Sequence, residues 1–339
     1  MEPATHALTS VALARAVQHR LPRFGMAMVF GSGMAADLDY LSYFGGPGAF
    51  LKFHRAALHS FMGSALMILL LAAAFCWADR KFPQKKPGAP LPFIAAFTFC
   101  CLGAAWHLVL DFLSGEVVQL FWPFHVDSSA WNFISNFDPW ILLFLLLGLL
   151  LPQLFRLVSD EIGERKPVRR GQGGAAIALG LVVLYIGSRG VLHHAAETVL
   201  RSRDYHGRAP AIVGAFPDTV SPLAWRGVVD TGGTIEEVPV SLAPGAEFDP
   251  ERSVAHIKPE ESPALAAGQA TASAKLFLHF ARFPIATVYP LQTGTRFDLR
   301  DLQFPSGDTS LANIFVRVDF DSNLRIRREE LVFASTRRN

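Results

Sequence analysis

The sequence has little charge and little cysteine. Only 18% of its 339 residues are charged, against about 25% in soluble domains, while 51% are apolar. The net charge of +2 gives no support for a nucleic-acid partner, and none is expected. The three cysteines, Cys76, Cys100 and Cys101, all lie in apolar segments, so no disulfide framework is predicted. The composition therefore indicates a membrane protein that also carries a soluble part.

The start of the sequence lacks the positively charged leader of a cleavable signal peptide, so membrane insertion is expected to depend on the apolar helices themselves. Four apolar runs approach the roughly 20 residues that a spanning helix needs. They cover residues 61–78, 91–112, 139–158 and 174–195. Two shorter runs, 5–20 and 24–36, predict a helical hairpin that dips into the bilayer or barely crosses it.

Beyond about residue 200, apolar and polar residues alternate in short runs separated by proline and glycine, a pattern typical of β-strands. The clearest examples are residues 234–242, 286–291, 313–320 and 324–333. The alanine-rich stretch 265–274 is interpreted as a linker. We predict a mainly α protein: a polytopic helical membrane domain at residues 1–198, with about four spanning helices, precedes a β-rich extramembrane domain at residues 199–339.

Basic residues are concentrated in three connections between the apolar runs. Because alternate connections lie on one side of a membrane, all three share a side, which the positive-inside rule makes cytoplasmic. The other connections and the C-terminal domain are then extracytoplasmic. We therefore predict a multi-pass protein of the bacterial inner membrane. The basic residues are Arg15, Arg20 and Arg23; Arg80, Lys81, Lys85 and Lys86; and Arg156, Arg165, Lys166, Arg169 and Arg170.

Histidines and aspartates flank the apolar runs at the ends predicted to be extracytoplasmic. A charged side chain inside a bilayer segment costs about 2.5–3.5 kcal/mol on insertion scales, so such groups need a partner or a function. Several of them at one membrane face suggest a bound metal ion. The candidate metal ligands are His6, Asp37, Asp39, His54, His59, His107 and Asp111.

The clearest motif is His107-x3-Asp111. A spacing of four places both side chains on one helix face about one turn apart, where they can share a cation. A helix cap or a pore-side polar pair is the alternative interpretation. Asp37-x-Asp39 brings two carboxylates together, which favours a cation between them, although a turn or a helix-end cap also fits. Mixed nitrogen and oxygen donors suit zinc best, with manganese or iron as alternatives.

A second pair with the same spacing, His193 and Glu197, lies at the outer end of the last apolar run. It could hold a cation in the same way. A polar belt at the membrane interface explains the pair equally well, so both interpretations stay open.

Several segments resemble one family in their order and spacing. The opening MEPATHALTSVALARA is followed by AADLDYL, HRAALHS, WHLVLDF, LFWPF and FDPW. Over about residues 1–160 these segments are similar to the YdjM-type (YbcI-like) inner-membrane metal-dependent hydrolase family, which is itself distantly similar to zinc-dependent phospholipases C. By position, the resemblance implies a polar motif of His6, Asp37, Asp39, His54, Arg55, His59, Ser60, His107, Asp111 and Asp138.

The resemblance implies hydrolysis of a phosphoester or another ester, in a lipid or an envelope-linked substrate. In that hypothesis Arg55 stabilises negative charge in the transition state. Glu116, or whichever of Asp37 and Asp39 is not a ligand, acts as the general base. After Asp111 many relatives carry a polar stretch where this chain has residues 112–117, FLSGEV, which affects the expected substrate contacts but not the expected ligands.

Two other classes of function fit parts of the sequence. A non-catalytic, metal-stabilised inner-membrane protein acting in envelope or stress response would need the same ligands, but no open coordination position and no base. A transporter would place its ionisable residues near the bilayer midplane on broken helices, whereas here they cluster at helix ends. The hydrolase is the preferred hypothesis.

Overall fold

The structure is a computed structural model that describes residues 1–82, 89–115, 117–125, 130–161, 171–305, 308 and 310–334. The chain divides into two compact units that interleave along the sequence. One unit comprises Met1–Asp39 and Arg55–Gly190, and the other comprises Tyr40–His54 and Val191–Asn339. They are called the membrane unit and the C-terminal unit below. The domain boundary after residue 198 stays a prediction.

Helices dominate the described part of the chain up to residue 201. In chain order they are α1 (Pro3–Ala16), α2 (Gly25–Ala35), a 3-10 helix (Ala36–Gly45), α3 (Pro47–Phe53), α4 (Phe61–Lys81), α5 (Phe93–Leu113), α6 (Pro139–Glu161) and α7 (Gln172–Arg201). With 14 and 11 residues, α1 and α2 are shorter than a bilayer-spanning helix.

Three of these helices, α4, α5 and α7, are long and apolar enough to cross a membrane. The predicted count of four spans is not confirmed. The apolar part of α6, Pro139–Phe155, falls in the shorter class of 10–17 residues.

Small residues let α2 and α5 pack closely within the membrane unit. A methyl group at Gly103 would overlap the carbonyl oxygen of Val29 and the hydroxyl of Ser32, and one at Gly33 would overlap the hydroxyl of Ser10 on α1. Helices in a bilayer gain most of their contact energy from such close approach, since lipid is as apolar as their side chains. The contacts bring α1, α2 and α5 together, and two of these helices carry His6 and His107.

The C-terminal unit contains two four-stranded antiparallel sheets, in agreement with its predicted β-rich character. The first has the order β1 (Ile212–Pro217), β2 (Ala224–Asp230), β3 (Thr234–Ser241) and β4 (Val254–Ile257). Two short helices follow, α8 (Pro263–Ala270) and α9 (Ala272–Phe280). The second sheet has the order β5 (Pro284–Leu291), β6 (Gly294–Asp301), β7 (Ile314–Phe320) and β8 (Ile326–Phe333).

The interpretation of residues 265–274 as a linker is wrong, because they belong to α8 and α9. Each helix begins with a side-chain cap: Ser262 accepts a hydrogen bond from the Leu265 N–H, and Thr271 accepts one from the Ala274 N–H. Alanine has the highest helix propensity, so two caps suffice to define two short helices in this stretch.

Residues 40–54 also belong to the C-terminal unit, although they lie between α2 and α4 in the chain. Phe50 of α3 is buried with Ile314 of β7 and Phe333 of β8, two neighbouring strands of the second sheet. The ring of Tyr43 is tilted against that of Phe333, with 5.2 Å between ring centroids. The second sheet therefore holds a segment whose sequence position is about 280 residues away.

Candidate metal centre

The carboxylate of Asp111 is the centre of a buried polar cluster in the membrane unit. Its Oδ1 lies 3.1 Å from Nε2 of His6, and its Oδ2 lies 2.9 Å from Nε2 of His59 and 3.1 Å from Nε2 of His107. These four side chains are at most 1% exposed. Three imidazole nitrogens from three parts of the chain therefore converge on one carboxylate at the last turn of α5.

The orientation of His107 is fixed by the backbone of α2. Its Nδ1 lies 2.7 Å from the carbonyl oxygen of Gly33. A carbonyl oxygen can only accept, so Nδ1 carries the proton, and in the neutral ring Nε2 keeps its lone pair. The close packing of α2 on α5 thus presents the Nε2 of His107 as a ligand atom.

Asp39 orients His59 in a similar way. Its Oδ2 lies 2.8 Å from Nδ1 of His59 and also accepts a hydrogen bond of 2.7 Å from the backbone N–H of Arg55. Burial acts to lower the pKa of His59, but the contacts with Asp111 and Asp39 outweigh burial and raise this pKa to about 9. A histidine that binds a metal ion through one ring nitrogen usually donates a hydrogen bond from the other to a carboxylate, and Asp39 has this position relative to His59.

Two atoms in the cluster have unmet bonding capacity. Nδ1 of His6 and Oδ2 of Asp37 are buried and make no hydrogen bond within the described part of the chain. Burial lowers the pKa of His6 to about 3, so its ring is neutral at ordinary pH. Oδ1 of Asp37 lies 3.8 Å from Nε2 of His107. Buried polar atoms are normally paired, so these two indicate that the cluster accommodates a further group.

Two sets of three residues could each hold a cation, with all ligand atoms of a set within 4.8 Å of one another. One set is His6, His107 and Asp111, and the other is Asp37, His59 and His107. Because Nδ1 of His107 is engaged by Gly33, both sets depend on the same Nε2, which binds only one ion. The two sets therefore share His107 and cannot both hold an ion through it at the same time. Imidazole nitrogens combined with carboxylate oxygens fit zinc, manganese or iron.

Arg55 contributes positive charge directly beside Asp111. Its Nη2 lies 3.1 Å from Oδ1 of Asp111, and its Nη1 donates to the hydroxyl of Ser114 over 3.5 Å. The backbone of Arg55 has a φ of +55°, a left-handed conformation that is uncommon for a residue other than glycine. The Met1 amino group also contacts Asp111. A guanidinium in this position can bind an anionic oxygen that approaches the cluster.

The structure brings together five of the seven residues predicted as ligands. Asp39 belongs to neither set of three and instead supports His59 and Arg55. His54 also belongs to neither set: its ring lies 4.3 Å from the ring of Phe50 and 4.4 Å from that of Tyr40, within the C-terminal unit. The predicted base Glu116 lies outside the described residues. The five clustered residues are His6, Asp37, His59, His107 and Asp111.

The other polar pair and two residues of the motif have separate environments. Nε2 of His193 lies 3.9 Å from Oε1 of Glu197, and no third potential ligand joins the pair among the described residues. Ser60 caps α4 by accepting a hydrogen bond from the Gly63 N–H. Asp138 caps α6 through the Trp140 and Ile141 N–H groups and accepts the hydroxyl of Tyr185 at 3.1 Å.

Besides the Met1 amino group, which contacts Asp111, sequence patterns missed two contributors to the site. The carbonyl of Gly33 acts through the backbone, and the hydroxyl of Ser114 contacts Arg55. The signal for the first was present: the glycines of α2 indicate close helix packing, and a closely packed backbone can reach a histidine on the next helix. Ser114 directly follows α5 and carries no comparable signal in the sequence.

Comparison with known proteins gives one family match, which covers the whole membrane unit together with residues 40–54 and 191–196 of the C-terminal unit. Searches of curated proteins and of solved structures find no significant match. A family model described as YdjM inner membrane protein matches residues 1–196. The matched region is more than half of the chain and contains every residue of the buried cluster. The chain therefore belongs to the YdjM inner membrane protein family.

Proposed function

We propose that the protein is a membrane-bound, metal-dependent hydrolase of a phosphoester or another ester in a lipid or envelope-linked substrate. The observation that carries the proposal is the convergence of three imidazole Nε2 atoms on the buried Asp111 carboxylate, each within 3.1 Å. These donors favour zinc, with manganese and iron as alternatives. A divalent cation supplies Lewis acidity, which stabilises negative charge on a substrate oxygen and makes water a stronger acid.

The residues around the proposed ligands have distinct roles in this mechanism. Asp39 holds His59 by its Nδ1 and the backbone of Arg55 by its N–H, so it fixes the positions of both. Nη2 of Arg55 lies 3.1 Å from Oδ1 of Asp111, beside the proposed metal ligands. From this position the guanidinium can bind an anionic oxygen of the substrate. Burial of the cluster excludes water and so strengthens these electrostatic contacts.

The reaction also needs a group that accepts a proton from water. Oδ2 of Asp37 is a candidate, because it makes no hydrogen bond to any described residue and is carried by the 3-10 helix next to the cluster. Asp39 is a weaker candidate than the sequence indicated, since its Oδ2 is engaged by His59 and Arg55. The sequence-based assignment of Glu116 as the base also stays a prediction.

The proposed site faces the extracytoplasmic side of the inner membrane, as does the C-terminal unit. Support comes from the charge pattern, since Arg15 and Arg80 are in the last turns of α1 and α4, whereas His6 and His59 lie at the starts of these helices. A site at this depth suits substrates whose scissile bond lies near the head groups of the outer leaflet.

One observation favours a second function, a non-catalytic metal-stabilised membrane protein. Structural metal sites are closed, whereas catalytic sites keep one coordination position open to substrate. His6, His59, His107 and Asp111 are at most 1% exposed, which suits a closed site. In this case the cation would stabilise the packing of α1, α2 and α5 and catalyse nothing.

The first test is elemental analysis of protein purified in nanodiscs, with variants that remove each polar pair. The test variant is His107→Ala with Asp111→Ala. The matched control is His193→Ala with Glu197→Ala, which removes a pair with the same spacing outside the cluster. We expect about one equivalent of metal in the wild type and the control, and none in a test variant that remains folded. Equal metal content in all three, or none in the wild type, would contradict the proposal.

The second test separates the enzyme from the structural alternative. Zinc-loaded protein is incubated with phospholipid vesicles, and the release of water-soluble phosphate esters or fatty acids is measured. Hydrolysis that the wild type and the control perform and the metal-free variant does not would support the enzyme. Metal binding without hydrolysis, together with unfolding when a chelator removes the metal, would support the structural role.

A further inference from the structure

The 3-10 helix that carries Asp37 and Asp39 also presents an exposed apolar ridge. A 3-10 helix has three residues per turn, so residues three apart lie on one face. Leu38, Leu41 and Phe44 recur at this interval, and they are 60%, 64% and 83% exposed. Large apolar side chains with this much exposure in a regular row are unusual unless something covers them.

The part of this ridge in the C-terminal unit is held in place and is not a loose loop. Tyr43, next to Phe44, packs near Phe333 of β8. Phe50 of α3, which follows, is 2% exposed and packs with Ile314 and Phe333. The segment is therefore amphipathic: Tyr43 and Phe50 pack on the second sheet, while Leu41, Phe44 and Phe53 are exposed, with Phe53 54% exposed.

The charge of the segment matches a phospholipid surface. Residues 40–53 contain no aspartate or glutamate and a single basic residue, Lys52. The ammonium of Lys52 lies 5.4 Å from the ring centroid of Phe53, so a charge that suits lipid phosphate adjoins an apolar ring that suits the acyl region. The segment also follows α2, a helix of the membrane unit of an inner-membrane family. Because the segment directly follows a helix of the membrane unit, the lipid surface is favoured over a soluble protein as the group that covers the apolar ridge.

We propose that Leu41, Phe44 and Phe53 insert into the interfacial region of the bilayer and anchor the C-terminal unit to the lipid surface. Lys52 then reaches the phosphate groups, and the packing of Phe50 transmits the attachment to the second sheet. The anchor does not depend on hydrolase activity. It does imply that the 3-10 helix bearing Asp37 and Asp39 lies at the level of the lipid head groups.

The test measures contact with lipid directly at single positions. Phe44→Cys and, separately, Phe53→Cys are labelled with the fluorophore NBD in full-length protein in which Cys76, Cys100 and Cys101 are replaced by alanine. The control is Val220→Cys, at an apolar residue that is 69% exposed in the connection between β1 and β2. Each protein is placed in nanodiscs of phosphatidylcholine and phosphatidylglycerol at 3:1, with or without a lipid that carries a nitroxide at carbon 5 of its acyl chain.

We expect the nitroxide lipid to quench the labels at positions 44 and 53 at least about threefold more strongly than the label at position 220, with a blue-shifted emission at 44 and 53. Quenching at positions 44 and 53 no stronger than at the control would overturn the proposal. Blue-shifted emission without quenching by lipid would also overturn it, because a protein surface would then cover the ridge. A fluorescent amino acid at position 44 in the unmodified background repeats the measurement if the cysteine replacements disturb folding.

Discussion

At the scale of single residues, Asp37 and Asp39 have different environments although only Leu38 separates them. Asp37 is among the potential ligands, and its Oδ2 makes no hydrogen bond to a described residue. Asp39 is not among the potential ligands and instead contacts Nδ1 of His59, which is one of them. The site therefore contains one carboxylate with spare bonding capacity and one that positions a ligand.

This difference leads to a prediction for Asp39→Asn. We expect the variant to keep its metal stoichiometry but to bind zinc about 10–100-fold more weakly, as is typical when the outer partner of a metal-binding histidine is lost. Asp111→Asn is expected to abolish binding, because it removes the shared ligand. Competition with a chromophoric chelator measures both affinities. If Asp39→Asn lost the metal completely, Asp39 would be a ligand.

The sequence could predict His107 and Asp111 as a pair because helical periodicity places residues four apart on one face. It could not assign roles to Asp39 and His54 in this way. Which ring nitrogen of His59 faces the cluster depends on a contact between residues 20 positions apart, and no spacing rule covers it. His54 was predicted to join the other histidines, but it caps the end of α3, and its ring stacks on Phe50 and contacts the ring of Tyr40.

At the scale of secondary-structure elements, the crossing of α2 and α5 controls the geometry of the site. We expect Gly103→Ala to lower the free energy of unfolding by about 1–3 kcal/mol, because the new methyl group overlaps the Val29 carbonyl in a packed interface. It should also weaken metal binding, since α2 must move away from α5 and the Gly33 carbonyl moves with it. Thermal unfolding in detergent and a zinc titration measure the two effects.

A matched control is available on α2 itself. Gly31 has nothing within 4 Å of the position that a methyl group would occupy, so Gly31→Ala should leave metal affinity unchanged. Its stability should be equal to or slightly above that of the wild type, because alanine favours a helix more than glycine does. Equal effects of the two substitutions would mean that the helix crossing is not what orients His107.

Elements with a clear period could be predicted from the sequence. The strands β3, β5, β7 and β8 lie where the alternating runs were found, because alternate side chains of a strand face opposite sides of a sheet. The helices α8 and α9 could not be recognised, since with eight and nine residues they are shorter than the window of about 11–18 residues in which a helical period shows, and only the caps Ser262 and Thr271 mark their starts.

At the scale of the whole molecule, the proposed metal should stabilise one unit and not the other. All candidate ligands of the cluster belong to the membrane unit. Zinc at about 100 times its dissociation constant would stabilise that unit by about 2.7 kcal/mol. We expect chelation to increase hydrogen exchange in α1, α2 and the C-terminal half of α5 and to leave β1–β8 unchanged. Mass spectrometry before and after zinc is restored measures this, and uniform changes throughout the chain would contradict it.

The proposed orientation in the membrane predicts which cysteines can be labelled from outside the cell. In a background without the native cysteines, Ser241→Cys at the end of β3 should react with a membrane-impermeant maleimide in intact cells whose outer membrane is permeabilised. Arg80→Cys, in the last turn of α4, should react only after the inner membrane is opened. The reverse pattern would place the C-terminal unit in the cytoplasm.

The interleaving of the two units has a consequence for synthesis on the ribosome. Phe50 packs on Phe333, which is translated about 280 residues later. At about 5–20 residues per second, α3 is made roughly 15–55 s before its partner strand exists. During this time the second sheet cannot bury the side chain of Phe50, and the lipid bilayer is the first apolar environment that it can enter. A nascent chain arrested before β8 should therefore hold α3 more deeply in the bilayer than the finished protein does.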